Sequence, residues 1–120
     1  MLGRFVVVLA LLTAGAALAQ APSPVATVQY SCAQGKSIAA EYFDGPTRTA
    51  PDGRPIPGGR VTLTLADGKK LTLPQTLSGS GIRYANEGET FVFWSKGDTA
   101  FVEEGANQTV TYKDCVGRKK

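Results

Sequence analysis

The chain has 120 residues, a formal charge of +3 at pH 7 and no histidine, so Ser-His-Asp and Cys-His catalysis and histidine-containing metal sites are excluded. Its basic side chains are scattered apart from Arg118-Lys119-Lys120, too thin a footprint for nucleic-acid binding, and that terminal cluster reads as a solvated tail. Neither a P-loop, nor a Gly-rich strand-to-helix turn, nor a calcium loop is present, and no cofactor and no metal is expected.

The first segment is a targeting signal. Met1-Leu2-Gly3-Arg4 is a short positive stretch, Phe5 to Leu18 is almost wholly apolar, and Ala17-Leu18-Ala19 has the small-x-small pattern of a cleavage site. Residues 1–19 are therefore read as a signal peptide, and 20–120 as a single domain that begins with a flexible Pro-rich lead-in over 20–26. The apolar run falls short of the roughly 20 residues that span a bilayer comfortably. Cys32 comes too late to be a lipidation site, so a periplasmic protein without a membrane anchor is expected. Export into an oxidising compartment favours pairing Cys32 with Cys115. A loop of that length would contribute at most about 4.5 kcal/mol in the chain-entropy model.

After the lead-in the chain reads as short strands separated by turn signals, with no helical periodicity. Eight strands are expected: Ala26–Cys32, Ser37–Phe43, Gly59–Leu65, Lys69–Leu73, Gly81–Ala85, Thr90–Ser95, Thr99–Glu103 and Gln108–Lys113. Between the second and third, Asp44–Gly58 is rich in Pro, Gly and charge and reads as one long exposed loop. In the third and fourth strands the apolar residues alternate. A three-residue loop, Ala66-Asp67-Gly68, sets Leu63 opposite Leu71 and Val61 opposite Leu73, and places Gly68 where a left-handed conformation is needed. The strands around Ser95-Lys96-Gly97-Asp98 are apolar on both faces, which leaves their register open but puts Lys96 at the tip. The expected fold is all-β: a small eight-stranded antiparallel β-barrel or a sandwich, with the cystine helping to close the sheet.

With histidine absent and both cysteines paired, the remaining routes to catalysis are a paired-carboxylate hydrolase, for which nothing in a small all-β chain suggests a substrate cleft, and a Ser–Lys dyad of Ser78 or Ser80 with Lys96. Such a lysine must be buried to lose its proton, and a turn tip does not bury it. The chain is read as a binding protein and not an enzyme. Taken singly, Ser78-Gly79-Ser80-Gly81 is an ordinary turn, Lys96-Gly97 an ordinary hairpin tip, and Trp94 with its neighbouring phenylalanines ordinary core.

In combination they are more specific. Ser78-Gly79-Ser80-Gly81-Ile82-Arg83-Tyr84 followed by Phe93-Trp94-Ser95-Lys96-Gly97-Asp98 resembles the signature of the MliC/PliC family of C-type lysozyme inhibitors: a Ser-x-Ser-Gly-x-x-Tyr loop, then an aromatic-Trp-x-Lys-Gly hairpin. Tyr30-Ser31-Cys32 and Tyr112-Lys113-Asp114-Cys115 agree with it, and the resemblance covers nearly the whole mature chain. It implies an eight-stranded barrel whose motif serine and lysine enter the enzyme's cleft. Carried over, these are Ser80 and Lys96, with Ser78 as the alternative serine; Gly79, Gly81 and Gly97 allow the backbone to approach the cleft wall closely, and Arg83 and Tyr84 give support or secondary contact. The implied partner is C-type lysozyme. The alternative is a small periplasmic ligand-binding or structural barrel, of which the ligand-binding form requires an open apolar interior. Asp44–Gly58 looks longer than the resemblance implies. The acids Glu87, Glu89, Asp98, Glu103 and Glu104, close to Lys96 in sequence, are expected to form an acidic rim around the contact.

Overall fold

The structure, a computed structural model, describes residues 22–120 together with Gly3. The expected signal segment lies outside the described residues save for Gly3. In chain order the strands are β1 (Ala26–Ser31), β2 (Ser37–Phe43), β3 (Arg48–Thr49), β4 (Pro55–Ile56), β5 (Arg60–Thr64), β6 (Lys70–Thr76), β7 (Ile82–Ala85), β8 (Phe91–Lys96), β9 (Thr99–Glu104) and β10 (Thr109–Lys119). A single 3-10 turn, Ala33–Gly35, joins β1 to β2.

Eight of these strands close into an antiparallel barrel in the order β1-β10-β9-β8-β7-β6-β5-β2, while β3 and β4 pair only with each other. The expected fold class is therefore met, with two differences. The segment 44–58 contains the β3–β4 ribbon. Arg118 and Lys119 are exposed but belong to β10, where Val28 pairs with Lys119 and Gln29 with Arg118; they are not a free tail. The physical reason is closure: without the end of β10, β1 would present an open edge. At the other terminus, the Val25 N–H already donates to the Tyr42 carbonyl (2.8 Å), so the irregular lead-in ends before Val25.

Period-two alternation builds the interior. Val28 and Tyr30, Ile38 and Ala40, Val61 and Leu63, Leu73, Tyr84, Phe91 and Phe93, Ala100 and Val102, Tyr112 and Cys115 form one buried cluster. Phe93 lies at its centre, edge-on to Tyr30 at 5.9 Å and tilted against Tyr84 and Tyr42 at 6.2 and 6.5 Å. The bore is thus occupied by packed side chains, as an eight-stranded barrel permits. The phenols inside are satisfied in part by each other: the Tyr30 and Tyr42 hydroxyls share a 2.6 Å hydrogen bond. Burial raises the Tyr42 pKa above its ordinary value. Burial, then the neighbouring Tyr30 and Asp44, push Tyr84 up to about 12.

The β5–β6 hairpin has the expected register, Val61 with Leu73 and Leu63 with Leu71. Gly68 is left-handed at φ 86°, and its N–H closes the loop onto the Leu65 carbonyl at 2.9 Å. Strand β10 is the irregular member. Against β9 its register passes from Val110↔Glu103 to Tyr112↔Val102 to Cys115↔Ala100, so β10 carries one extra residue at Thr111 and another at Lys113-Asp114. Asp114 takes a φ of 53° to make the second bulge. Cys32 and Cys115, 83 residues apart, are joined across the β1–β10 seam with Cα atoms 3.9 Å apart. Lys36 adds a further tie by donating to the Thr111 carbonyl (2.8 Å) and lying over the Tyr112 ring.

Because the strands alternate in direction, one end of the barrel carries the β8–β9 turn, the loop 77–81, the segment 44–59 and the C-terminus. The other end carries the β1–β2, β5–β6, β7–β8 and β9–β10 turns.

Candidate functional site

Two connections on the first rim meet. Strand β8 runs through Lys96 and turns at Gly97-Asp98 into Thr99, a two-residue turn in which Lys96 pairs with Thr99. Gly97 takes the positive φ of 56° that the turn needs, and the Thr99 hydroxyl donates to the Lys96 carbonyl at 2.9 Å. Beside it, β6 ends at Thr76 and the chain returns through 77–81 into β7. Across this gap the Lys96 Nζ donates to the Ser80 Oγ at 3.1 Å, and both side chains are exposed.

The serine loop is fixed from within. The Ser78 Oγ accepts from the Ser80 N–H (3.2 Å) and donates to the Ser80 carbonyl (2.7 Å), a small ring that sets the backbone at Ser80. Gly81 follows with φ 70°, and a side chain there would place its Cβ 2.9 Å from the Ser95 carbonyl and 3.3 Å from Lys96 Cβ. Glycine is what lets the serine loop lie against the lysine turn. Ser78 therefore orients the loop, whereas Ser80 touches the lysine.

The remaining residues of the motif divide. Tyr84 is only 4% exposed and points into the barrel, so of the two roles expected for it, support or secondary contact, burial leaves support. Arg83 lies on the outer face, paired with Trp94 in the register. Its guanidinium donates to Thr76 Oγ1 (2.9 Å) and Glu89 Oε1 (3.0 Å) and sits over the Trp94 ring at 5.6 Å. Thr76 in turn donates to the Arg83 carbonyl at 3.3 Å, so the stem of the serine loop is braced on both strands.

Two expectations are corrected. Trp94 is not core: with Phe91, Phe93 and Ser95 turned inward, Trp94 is turned outward and is half-buried. Its ring stacks on Phe101 (6.0 Å, 17° between planes) and its Nε1 donates to Glu103 Oε1 at 2.7 Å. Alternation along β8 carried this signal, but apolar residues on both faces hid it. The acidic rim also fails. Phe91 pairs with Glu104 and Val92 with Glu103 at one end of the β8–β9 hairpin, and Lys96 pairs with Thr99 at the other. Glu87 and Glu89 lie in the β7–β8 turn at the far end too, so of the five acids only Asp98 shares a rim with Lys96. The end of β10 brings the exposed Arg118, Lys119 and Lys120 to that rim instead.

Chemically, the pair offers donors. A lysine ammonium has three N–H groups, of which one is spent on Ser80, and the serine keeps its own proton to give. The pair borders a shallow groove of about 230 Å³ lined also by Trp94, Ser95, Thr99 and Phe101. Such a site suits oxygen acceptors, carboxylates above all. Lys96 lacks the burial that a Ser–Lys nucleophile requires. Among the described residues, no three Cys, Asp or Glu side chains gather where they could hold a metal ion.

Fold and rim together define a small disulfide-closed β-barrel that carries a paired hydroxyl and ammonium exposed on one rim. The family model described as membrane-bound lysozyme-inhibitor of C-type lysozyme matches residues 55–111, a span that includes the serine loop and the lysine turn. A membrane-bound lysozyme inhibitor of C-type lysozyme from Cupriavidus necator is 34% identical over 104 residues, which cover 79% of this chain and 73% of that protein. One of the same name from Yersinia enterocolitica is 50% identical over 56 residues, 47% of this chain and 44% of its own length. The chain thus spans less than half of the second relative and about three quarters of the first. No solved structure matches it. The chain belongs to the family of membrane-bound lysozyme inhibitors of C-type lysozyme.

Proposed function

We propose that this protein inhibits C-type lysozyme by seating Ser80 and Lys96 in the enzyme's active-site cleft. The observation that carries the proposal is the 3.1 Å contact between two exposed side chains from separate connections, each held by a glycine with positive φ. C-type lysozyme works with one protonated carboxylic acid and one ionised carboxylate flanking the scissile bond. An ammonium set between them favours the ionised form of both and removes the proton donor. The Ser80 hydroxyl donates to a remaining carboxylate oxygen, and the two loops exclude the sugar. No bond is made or broken in the inhibitor, which acts by occupancy and is not an enzyme.

We further place the mature protein in the periplasm without a lipid. Both cysteines of this sequence are bonded to each other, so neither thiol is available for acylation. Among the described residues no helix is long and apolar enough to cross a membrane. The printed names of the two relatives call those proteins membrane-bound. Fractionation of the producing cell tests the placement: release with the soluble periplasmic contents is expected, and retention with the membrane would contradict it.

The functional test is lysis of a peptidoglycan suspension by C-type lysozyme, titrated with the oxidised mature protein. Inhibition is expected, weakened at least tenfold (about 1.4 kcal/mol) by Ser80→Ala or Lys96→Ala. Inhibition untouched by either substitution would overturn the site, and no inhibition at micromolar protein would overturn the function.

A further inference from the structure

The groove at the Ser80–Lys96 pair does not end there. Thr99, Ala100 and Phe101 line it, and the same three residues line a second, larger hollow of about 500 Å³ that continues over the outer face to Val110, Lys113, Asp114 and Val116. The cause of the hollow is the bulge in β10. Between Val102↔Tyr112 and Ala100↔Cys115, Phe101 faces two residues, Lys113 and Asp114, in place of one. No β10 residue stands in register opposite Phe101, and the outer face dips at the break in the register. Phe101 is 38% exposed, Val116 57% and Val110 48%, large apolar side chains that a monomer gains nothing by displaying together.

The aromatic part of this surface is held rigid. Arg83, Trp94 and Phe101 stand side by side across β7, β8 and β9. Trp94 is fixed by the guanidinium on one side, by Phe101 on the other and by its hydrogen bond to Glu103. A fixed aromatic pair loses little side-chain entropy on binding, which is the property of an interface anchor.

We infer that the Phe101–Val116 hollow is the second half of the lysozyme-binding surface, packing on the enzyme molecule whose cleft receives Ser80 and Lys96. This inference rests on the proposed function and deepens it. The occupant follows from continuity: a protein seated on Ser80 and Lys96 covers Thr99 and Phe101, because these line the same groove. It also follows from size, since a specific interface takes roughly 800 Å² from each partner, more than one serine and one lysine supply. The ammonium and hydroxyl direct the contact to the enzyme's carboxylates, and the apolar hollow beside them supplies dry contact that slows dissociation.

The test compares association and dissociation of C-type lysozyme with wild type, Phe101→Ser, Val116→Ser, Lys96→Ala and, in the β5–β6 turn at the other end of the barrel, Ala66→Ser. Phe101→Ser is expected to speed dissociation about tenfold and Val116→Ser several-fold, with association rates unchanged and Ala66→Ser silent. Val116 does not touch Trp94, so its variant reports on the hollow even if Phe101→Ser disturbs the stacked pair. Lys96→Ala weakening binding while both hollow variants leave dissociation unchanged would overturn this inference and leave the proposed function intact. Absence of any lysozyme binding by the wild type would remove both. Self-association of the wild type in sedimentation, abolished by Phe101→Ser without effect on lysozyme, would assign the hollow to a second copy of the chain and overturn the inference.

Discussion

Ser78 and Ser80 are two residues apart and do different work. Ser80 meets Lys96, while Ser78 spends its hydroxyl on the backbone of Ser80 in both directions. Removing that hydroxyl frees the loop without touching the contact atoms. Ser78→Ala is therefore expected to weaken lysozyme inhibition several-fold with little change in melting temperature, and Ser78→Thr, which keeps the oxygen, to restore most of it. Equal inhibition by Ser78→Ala and wild type would show that the ring of hydrogen bonds does not position Ser80. The sequence alone left the two serines as alternatives because spacing does not reveal which hydroxyl is turned inward on its own turn. The sequence points Gly81 toward the wall of the enzyme's cleft and does not reveal its intrachain role. Its neighbour, the Ser95 carbonyl 2.9 Å from where a Cβ would sit, is visible only once β8 is placed.

At the level of elements, β10 decides the shape of the barrel. Its C-terminal part, Val116 to Lys119, pairs with β1 and its N-terminal part, Thr109 to Val116, with β9, the two bulges lying in the second. Gly117 sits at the tightest point of the seam: a Cβ there would lie 2.6 Å from Val28 Cγ1 and 2.7 Å from Tyr30 Cε1. Gly117→Ala is expected to lower stability by about 1–3 kcal/mol through overpacking, read as a lower denaturant midpoint at unchanged slope. An unchanged midpoint would mean that the seam has room. The eight barrel strands were legible because alternation and turn residues recur at short intervals, and the β5–β6 register followed because only one pairing kept Val61, Leu63 and Leu73 on one face. The length of β10 was not legible. Arg118 and Lys119 look like a tail by composition, and only the need of β1 for a partner makes them strand. Trp94 was misplaced for a related reason: Phe91 to Trp94 is apolar throughout, and the residues that cover its outer face, Arg83 and Phe101, come from other strands.

For the whole molecule, the filled bore sets the response to alkali. Tyr84 is pushed up to about 12 by burial, and Tyr42 is also raised. In the unfolded chain a tyrosine ionises near 10. Between these values the folded state holds protons that the unfolded state has lost, so stability is fully present below about pH 10 and falls as pH rises toward the folded value. Unfolding free energy is expected to be insensitive to ionisation of these phenols up to about pH 10 and to decline above it. Phenolate absorbance from Tyr42 and Tyr84 is expected to appear together with unfolding. A phenol titration complete at ordinary pKa in a still-folded protein would contradict the buried cluster. The cystine works in the same direction at every pH, contributing at most about 4.5 kcal/mol across its long loop.

The central claim is that Ser80 and Lys96 bind lysozyme as a unit, and a double-mutant cycle measures this directly. Lysozyme affinity is determined for the oxidised wild type, Ser80→Ala, Lys96→Ala and the double variant. Each single change is expected to cost at least tenfold, and the double variant to be little weaker than either, leaving a coupling above about 0.5 kcal/mol. Losses that simply add, or singles that bind as tightly as wild type, would contradict the account.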